Sequence, residues 1–107
     1  MTELEVLKGA RELLSDRKRW TKHAYARDLQ STPTNAKNPT ACKWCLAGAF
    51  SKISVYEDYI KACDIITRAI SSETKGIYVF KGLTIFNDTH THREVLAILD
   101  KAIELCA

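Results

Sequence analysis

Residues 20–40 of this chain carry no helical periodicity, although the stretches on both sides of them do. Ser31-Thr32-Pro33-Thr34-Asn35 and Asn38-Pro39-Thr40 are turn and loop chemistry. A connection of this length inside 107 residues is uncommon in a compact domain and is often where function sits. The expected architecture is therefore mainly α: a single domain over 1–107, about four helices, and one long irregular segment, 17–40.

The helices announce themselves by caps and stripes. Thr2 and Glu5, Ser54 and Glu57, and Thr91 and Glu94 each make a T/S-x-x-E capping box. After the first box, Val6, Leu7, Ala10, Leu13 and Leu14 recur at helical spacing, predicting a helix to about Asp16. Arg17, Lys18 and Arg19 follow where cations favour a helix C-terminus. A second helix is expected after Thr40, to about Ile53, with Cys45, Leu46, Ala49, Phe50 and Ile53 on one face. Gly48 inside it costs roughly 1 kcal/mol relative to Ala, so close packing is the expected reason for it. A third helix, to about Ser72, carries Tyr56, Tyr59, Cys63, Ile66 and Ile70, and a last one carries Val95, Leu99, Ala102, Ile103 and Cys106. Between these two, residues 77–86 read as a short β-hairpin turning at Lys81-Gly82. The alternative for them is one buried helical turn.

Charge and cysteine usage narrow the function classes. The net charge is +3, but residues 1–53 hold +5 and residues 54–107 hold −2. The segment 17–43 has seven basic residues against one acid, Asp28. Trp20, Lys22, His23, Tyr25 and Arg27 mix cations with rings, as nucleic-acid binders do. Nucleic acid is therefore a candidate partner of this segment, beside a protein partner. Met1-Thr2-Glu3-Leu4-Glu5 carries two acids and no long apolar run, so a cytoplasmic chain with reduced thiols is expected. No stretch approaches the ~20 apolar residues of a membrane span, so no membrane partner is expected.

Three constellations could carry chemistry. Cys42 and Cys45 with His90 and His92 offer four ligands of the zinc type, but His-x-His departs from the usual spacing. Cys45 near a helix start, with His92 as base and Asn87 or Asp88 as orienter, has the parts of a thiol nucleophile. Against that, Cys45 lies on an apolar face, where a buried thiol is inert. Asp88 is a turn residue by type or a bidentate partner for Arg27, with Asp28 pairing Arg93 likewise. Structural ion pairing is the preferred reading, and no cofactor is expected.

Three blocks in order resemble a small bacterial and phage family of unknown function. Trp20-Thr21-x-x-Ala24-Tyr25-Ala26-Arg27-Asp28 is similar to its W-T-x-G-A-Y-A-R-D segment. Cys42-Lys43-Trp44-Cys45-Leu46-Ala47-Gly48-Ala49 is similar to its C-x-W-C-x-x-G-A helix start. Phe86-Asn87-Asp88, then Thr91-His92-x-Glu94-Val95-Leu96-x-Ile98-Leu99-Asp100-x-Ala102-Ile103, is similar to its last block. The chain departs from the family in His23, where Gly is usual, and in Phe86, where Trp is usual. The resemblance implies an intracellular protein of a bacterium or its phage, and draws Arg27, Asp28, Cys45, Asn87, Asp88 and His92 together. The expectation is a non-enzymatic binding module acting on a host protein or nucleic acid through Trp20, Tyr25, Arg27, Asp28, Asn87, Asp88 and His92. The alternative is a small cysteine-dependent enzyme or zinc protein built on Cys45, His92 and Asp88.

Overall fold

The computed structural model describes residues 2–74 and 82–106. Among them are five helices: α1 (Glu3–Leu13), α2 (Leu46–Ile53), α3 (Tyr56–Thr74), α4 (Gly82–Thr89) and α5 (His92–Cys106). Their apolar stripes meet in one core, where Val6, Leu7 and Leu14 pack with Leu46, Phe50, Ile66, Ile70, Val95 and Leu99, all fully buried. α1 lies against α2, α3 and α5. Arg11 of α1 adds an ion pair to Asp100 of α5 at 2.8 Å, half-exposed and so worth under about 1 kcal/mol. The side chains of Tyr56 and Tyr59, expected on the α3 stripe, lie outside the described ones.

Two capping boxes close as expected. Thr2 Oγ1 accepts from the Glu5 amide at 3.2 Å while Glu5 accepts from the Thr2 amide at 2.9 Å. Thr91 and Glu94 repeat this at 3.1 and 2.8 Å. These bonds hold both glutamate carboxyls below their ordinary range. The third box does not form. Ser54 Oγ donates backwards to the Phe50 carbonyl at 2.7 Å and closes α2 instead of opening α3. A short serine next to a helix end has both options, and burial here favours the carbonyl that would otherwise be orphaned.

The segment expected to be irregular is more ordered than its composition suggests. Three two-residue strands, β1 (Ala26–Arg27), β2 (Pro33–Thr34) and β3 (Lys43–Trp44), form an antiparallel sheet in the order β2-β1-β3. Pro33 sits on an edge strand, where a missing donor is tolerated. Trp44 is buried and donates Nε1 to the Ala36 carbonyl at 3.0 Å, pinning the loop between β2 and β3.

Helix boundaries shift for local reasons. α1 stops at Leu13 rather than Asp16, because Asp16 accepts from the Lys18 amide and starts a 3₁₀ turn over Arg17–Arg19. Arg19 then reaches back to the Leu13 and Glu12 carbonyls at 2.6 and 3.0 Å, so one cation of that run caps the helix C-terminus. α2 begins at Leu46 rather than after Thr40, because Lys43–Trp44 pair with β1 and Cys45 becomes the N-cap.

The expected hairpin is corrected in its second half. Leu83-Thr84-Ile85-Phe86 lie in α4, with Leu83, Phe86 and Asn87 buried at i, i+3 and i+4. A short apolar run reads alike as strand or buried helix, and here the helical face is the one that meets the core. Residues 77–81 of that expectation lie outside the described residues.

Gly48 packs against backbone, as its position in an apolar helix predicts. A Cβ on it would collide with the Tyr25 carbonyl, which itself accepts from the Cys45 amide at 3.2 Å. A Cβ on Gly9 would meet the tip of the Ile53 side chain at 2.7 Å, which a rotamer change relieves. Gly48→Ala is therefore expected to lose about 3 kcal/mol or more. Gly9→Ala should be near neutral, because about 1 kcal/mol of helix propensity offsets the repacking. Urea unfolding of both variants measures the contrast, and equal losses would contradict it.

Candidate functional site

The last turn of α4, the start of α2 and the chain over 20–27 converge on one side chain, Asn87, which is fully buried. Its Oδ1 accepts from Trp20 Nε1 at 2.7 Å and from the Leu46 amide at 3.0 Å. Its Nδ2 donates to the Thr21 carbonyl at 3.0 Å and to Asp88 Oδ1 at 3.1 Å. A primary amide has two donor hydrogens and two acceptor lone pairs, and all four are matched. The Leu46 amide is one of the orphan donors of the α2 N-terminus, so Asn87 also caps that helix from outside it.

Beside Asn87, Asp88 faces outward. Its Oδ1 also accepts from the His23 amide at 3.0 Å, and its Oδ2 lies 3.5 Å from His23 Nδ1. His23 holds φ at 66°, a left-handed conformation that glycine adopts freely and other residues adopt at a cost. That accounts for the glycine usual in the resembling family. His23, Ala24, Tyr25, Cys45, Thr84 and Asp88 line a cleft of about 400 Å³. Tyr25 is 60 % exposed at its rim.

The other expected site residues have structural employment. Arg27 does not pair with Asp88. Its guanidinium donates to Thr21 Oγ1 at 3.0 Å, the Ser31 carbonyl at 2.8 Å and the Lys22 carbonyl at 3.1 Å. Two loop carbonyls and a hydroxyl within six residues outbid a carboxylate that is already held by amides. Asp28 accepts from the Gln30 and Thr32 amides at 2.9 and 3.0 Å and so shapes its own turn, rather than pairing with Arg93. His92 Nε2 meets the Leu14 carbonyl at 2.6 Å; a carbonyl only accepts, so that nitrogen carries a proton. Its ring also tilts against Trp20, with centroids 5.5 Å apart.

Cys45 is buried, and its Sγ accepts from the Gly48 amide at 3.3 Å. Burial pushes its thiol pKa up and the Asp88 charge adds to that, while the Gly48 and Ala47 amides pull it down by less. A neutral, buried thiol is not an activated nucleophile. Cys42 donates to the Arg27 carbonyl at 3.6 Å. His90 stacks on Phe86 with centroids 3.8 Å apart, its Nδ1 on the Phe86 carbonyl at 2.8 Å. Among the described residues no three of His, Cys, Asp and Glu are placed together to hold a metal ion.

Sequence reasoning named His23 only within the basic and aromatic stretch and Thr21 only within the resembling motif, and it passed over Thr84. For His23 a signal was present, in a histidine standing where glycine is usual. Thr84 carries no sequence signal beyond its polarity.

Two measurements test this geometry. Asn87→Ala should lose about 3 kcal/mol or more, because it leaves the Leu46 amide, Trp20 Nε1 and the Thr21 carbonyl without their partner. A loss under about 1 kcal/mol in urea unfolding would show the hub to be dispensable. His23→Gly should raise stability by up to about 1 kcal/mol through relief of the left-handed residue. A lower melting temperature for it would mean that the exposed His23–Asp88 contact outweighs the strain.

No helix among the described residues is long and apolar enough to cross a membrane. No curated protein and no solved structure matches the chain. A family model described as a family of unknown function, DUF6197, matches residues 1–105. The match spans the Asn87 hub, the cleft and the five helices but for the last residue of α5, and the chain belongs to that family.

Proposed function

We propose that this chain is a non-enzymatic binding module that holds a partner protein at the cleft lined by His23, Tyr25 and Asp88. The observation that carries this reading is the employment of the reactive groups. Cys45 accepts the Gly48 amide in the core, His92 is tied to Leu14, and the Asn87 amide is fully matched. What the described lining of the cleft offers to a partner is a fixed carboxylate, an imidazole and a phenol ring. Such a concave set of orienting polar groups with an aromatic neighbour suits recognition. The action of the module on a host protein, in the cytoplasm of a bacterium or of its phage-infected host, belongs to the same reading and rests on the sequence resemblance.

Nucleic acid is the less favoured partner, because several cations of the segment 17–43 are already engaged. Arg19 and Arg27 are bound to backbone carbonyls, and Lys37 Nζ donates to the Ser54 carbonyl at 2.9 Å. Lys22 lies over the Trp20 ring at 5.5 Å, covering a face that a base would stack on. A carboxylate at the cleft repels phosphate.

The test has two arms. Under native conditions at neutral pH, iodoacetamide should leave Cys45 unmodified, and also Cys63, whose thiol burial pushes up to about 12. Half-exposed Cys42 and Cys106 should react. In affinity purification from cells of the native host, a protein retained by the parent chain should also be retained by Cys45→Ala and lost by Tyr25→Ala. Alkylation of Cys45 faster than free cysteine, or a partner indifferent to Tyr25→Ala, would overturn the reading.

A further inference from the structure

Resting on the binding-module reading, we infer that the cleft receives the guanidinium of an arginine side chain presented by the partner protein. Among the described residues that line the cleft Asp88 is the one carboxylate, and none of them is a Lys or Arg. Its orientation is fixed, because Oδ1 is held between the His23 amide and Asn87 Nδ2 at 3.0 and 3.1 Å. Among the described residues Oδ2 has only His23 Nδ1 at 3.5 Å, longer than the 2.7–2.9 Å typical of a charged N–H···O bond. The Asp88 side chain is 27 % exposed: reachable, yet shielded enough that a charge pair there is less screened than on open surface.

Its place in the fold favours the same occupant. Asp88 sits in the last turn of α4 (Gly82–Thr89), where the helix dipole disfavours an anion and attracts a cation. A carboxylate kept at the wrong end of its helix is a local cost, and an incoming cation converts it into two favourable terms at one spot. Tyr25 supplies the second element. Its ring, exposed at the cleft rim, is a face on which a planar guanidinium stacks while its N–H groups reach Asp88. The Cys45 thiol, neutral and hydrogen-bonded to Gly48, adds no competing charge to the floor. A cleft of about 400 Å³ is near the lower end of small-ligand sites, and one long side chain suits it better than a folded surface does.

The experiment is an NMR titration of the ¹⁵N-labelled full chain with the capped tripeptide Gly-Arg-Gly. Capped Gly-Glu-Gly and inorganic phosphate serve as comparators. Saturable shifts are expected at the amides of His23, Ala24, Tyr25, Thr84 and Asp88 with the arginine peptide alone. Asp88→Asn keeps an oxygen for the His23 amide and removes the charge; it should weaken binding about tenfold or more. Tyr25→Ala, at an exposed position, should weaken it about threefold to tenfold and keeps the test alive if Asp88→Asn fails to fold. No shifts at these amides with the arginine peptide, unchanged affinity in Asp88→Asn, or preferential binding of the glutamate peptide or phosphate would each overturn the inference. If the arginine peptide fails while Tyr25→Ala still loses the cellular partner, the guanidinium assignment falls and the binding-module reading stands.

Discussion

A buried primary amide is costly in a core unless every lone pair and hydrogen finds a partner. Asn87 meets that condition by drawing its four partners from α2, α4 and the chain over Trp20-Thr21. The short strands do not have the length to stand alone; two-residue pairs need support from packing. They receive it because Thr21 also donates its amide to the Trp44 carbonyl at 3.1 Å, extending the sheet to the residues that Asn87 holds. Gly48 completes the arrangement by letting Tyr25, the residue before β1, approach α2 to backbone contact. Removing the amide would release the cap of α2, the anchor of Trp20 and the carboxylate beside it in one event, so cleft and scaffold are cooperative here.

The polar residues of the loop separate into two groups by what they touch. Arg27, Asp28, Asn35 and Asn38 bond almost wholly to backbone within their own segment. They replace the hydrogen bonds that a helix or longer strand would have supplied, which is how a long connection becomes ordered without regular structure. His23, Tyr25 and Asp88 are different. Among the described residues the side chains of His23 and Tyr25 are bound loosely or not at all, and Asp88 is held firmly through Oδ1, with Oδ2 3.5 Å from His23 Nδ1. Preorganised groups of this kind lose little freedom on binding, which is where affinity at a small cleft comes from.

Much of this was legible in the sequence, for identifiable reasons. Stripes such as Val6, Leu7, Ala10 and Val95, Leu99, Ala102 have one period and one interpretation, and the Thr2 and Thr91 boxes fix where their helices begin. Residues with two local options were not legible. Ser54 could cap forward or close backward, Leu83–Phe86 could be strand or buried helix, and Cys45 is an N-cap of a type that propensity does not favour. Charge pairing was the least legible: Arg27 and Asp88 are complementary on paper, but each is satisfied first by nearby backbone groups. Asn87 stood in the sequence as a candidate binding residue and as an orienter for a Cys45 nucleophile, not as the hub of the fold. Its role depends on partners 41 to 67 positions away, a range at which no local pattern speaks.

Two violations of local preference meet at one contact. His23 occupies a left-handed backbone position, and Asp88 places a negative charge at the negative end of α4. Each alone is tolerable, and each is partly compensated by the other through the His23 amide bond to Asp88 Oδ1. Compensation explains why the pair is stable, but not why it is needed. A glycine at 23 and an asparagine at 88 would supply the same backbone turn and the same acceptor without strain or misplaced charge. Sequences otherwise consistent with their fold tend to break local rules where function requires it. Elsewhere Ser31 also holds a left-handed φ of 64° in its own turn, and no buried side-chain polar atom is left unpartnered among the described residues. An asparagine at 88 would serve the hydrogen bonds from the His23 amide and Asn87 Nδ2 as an acceptor, so what the carboxylate adds to the hub is its negative charge, at the lining of the cleft.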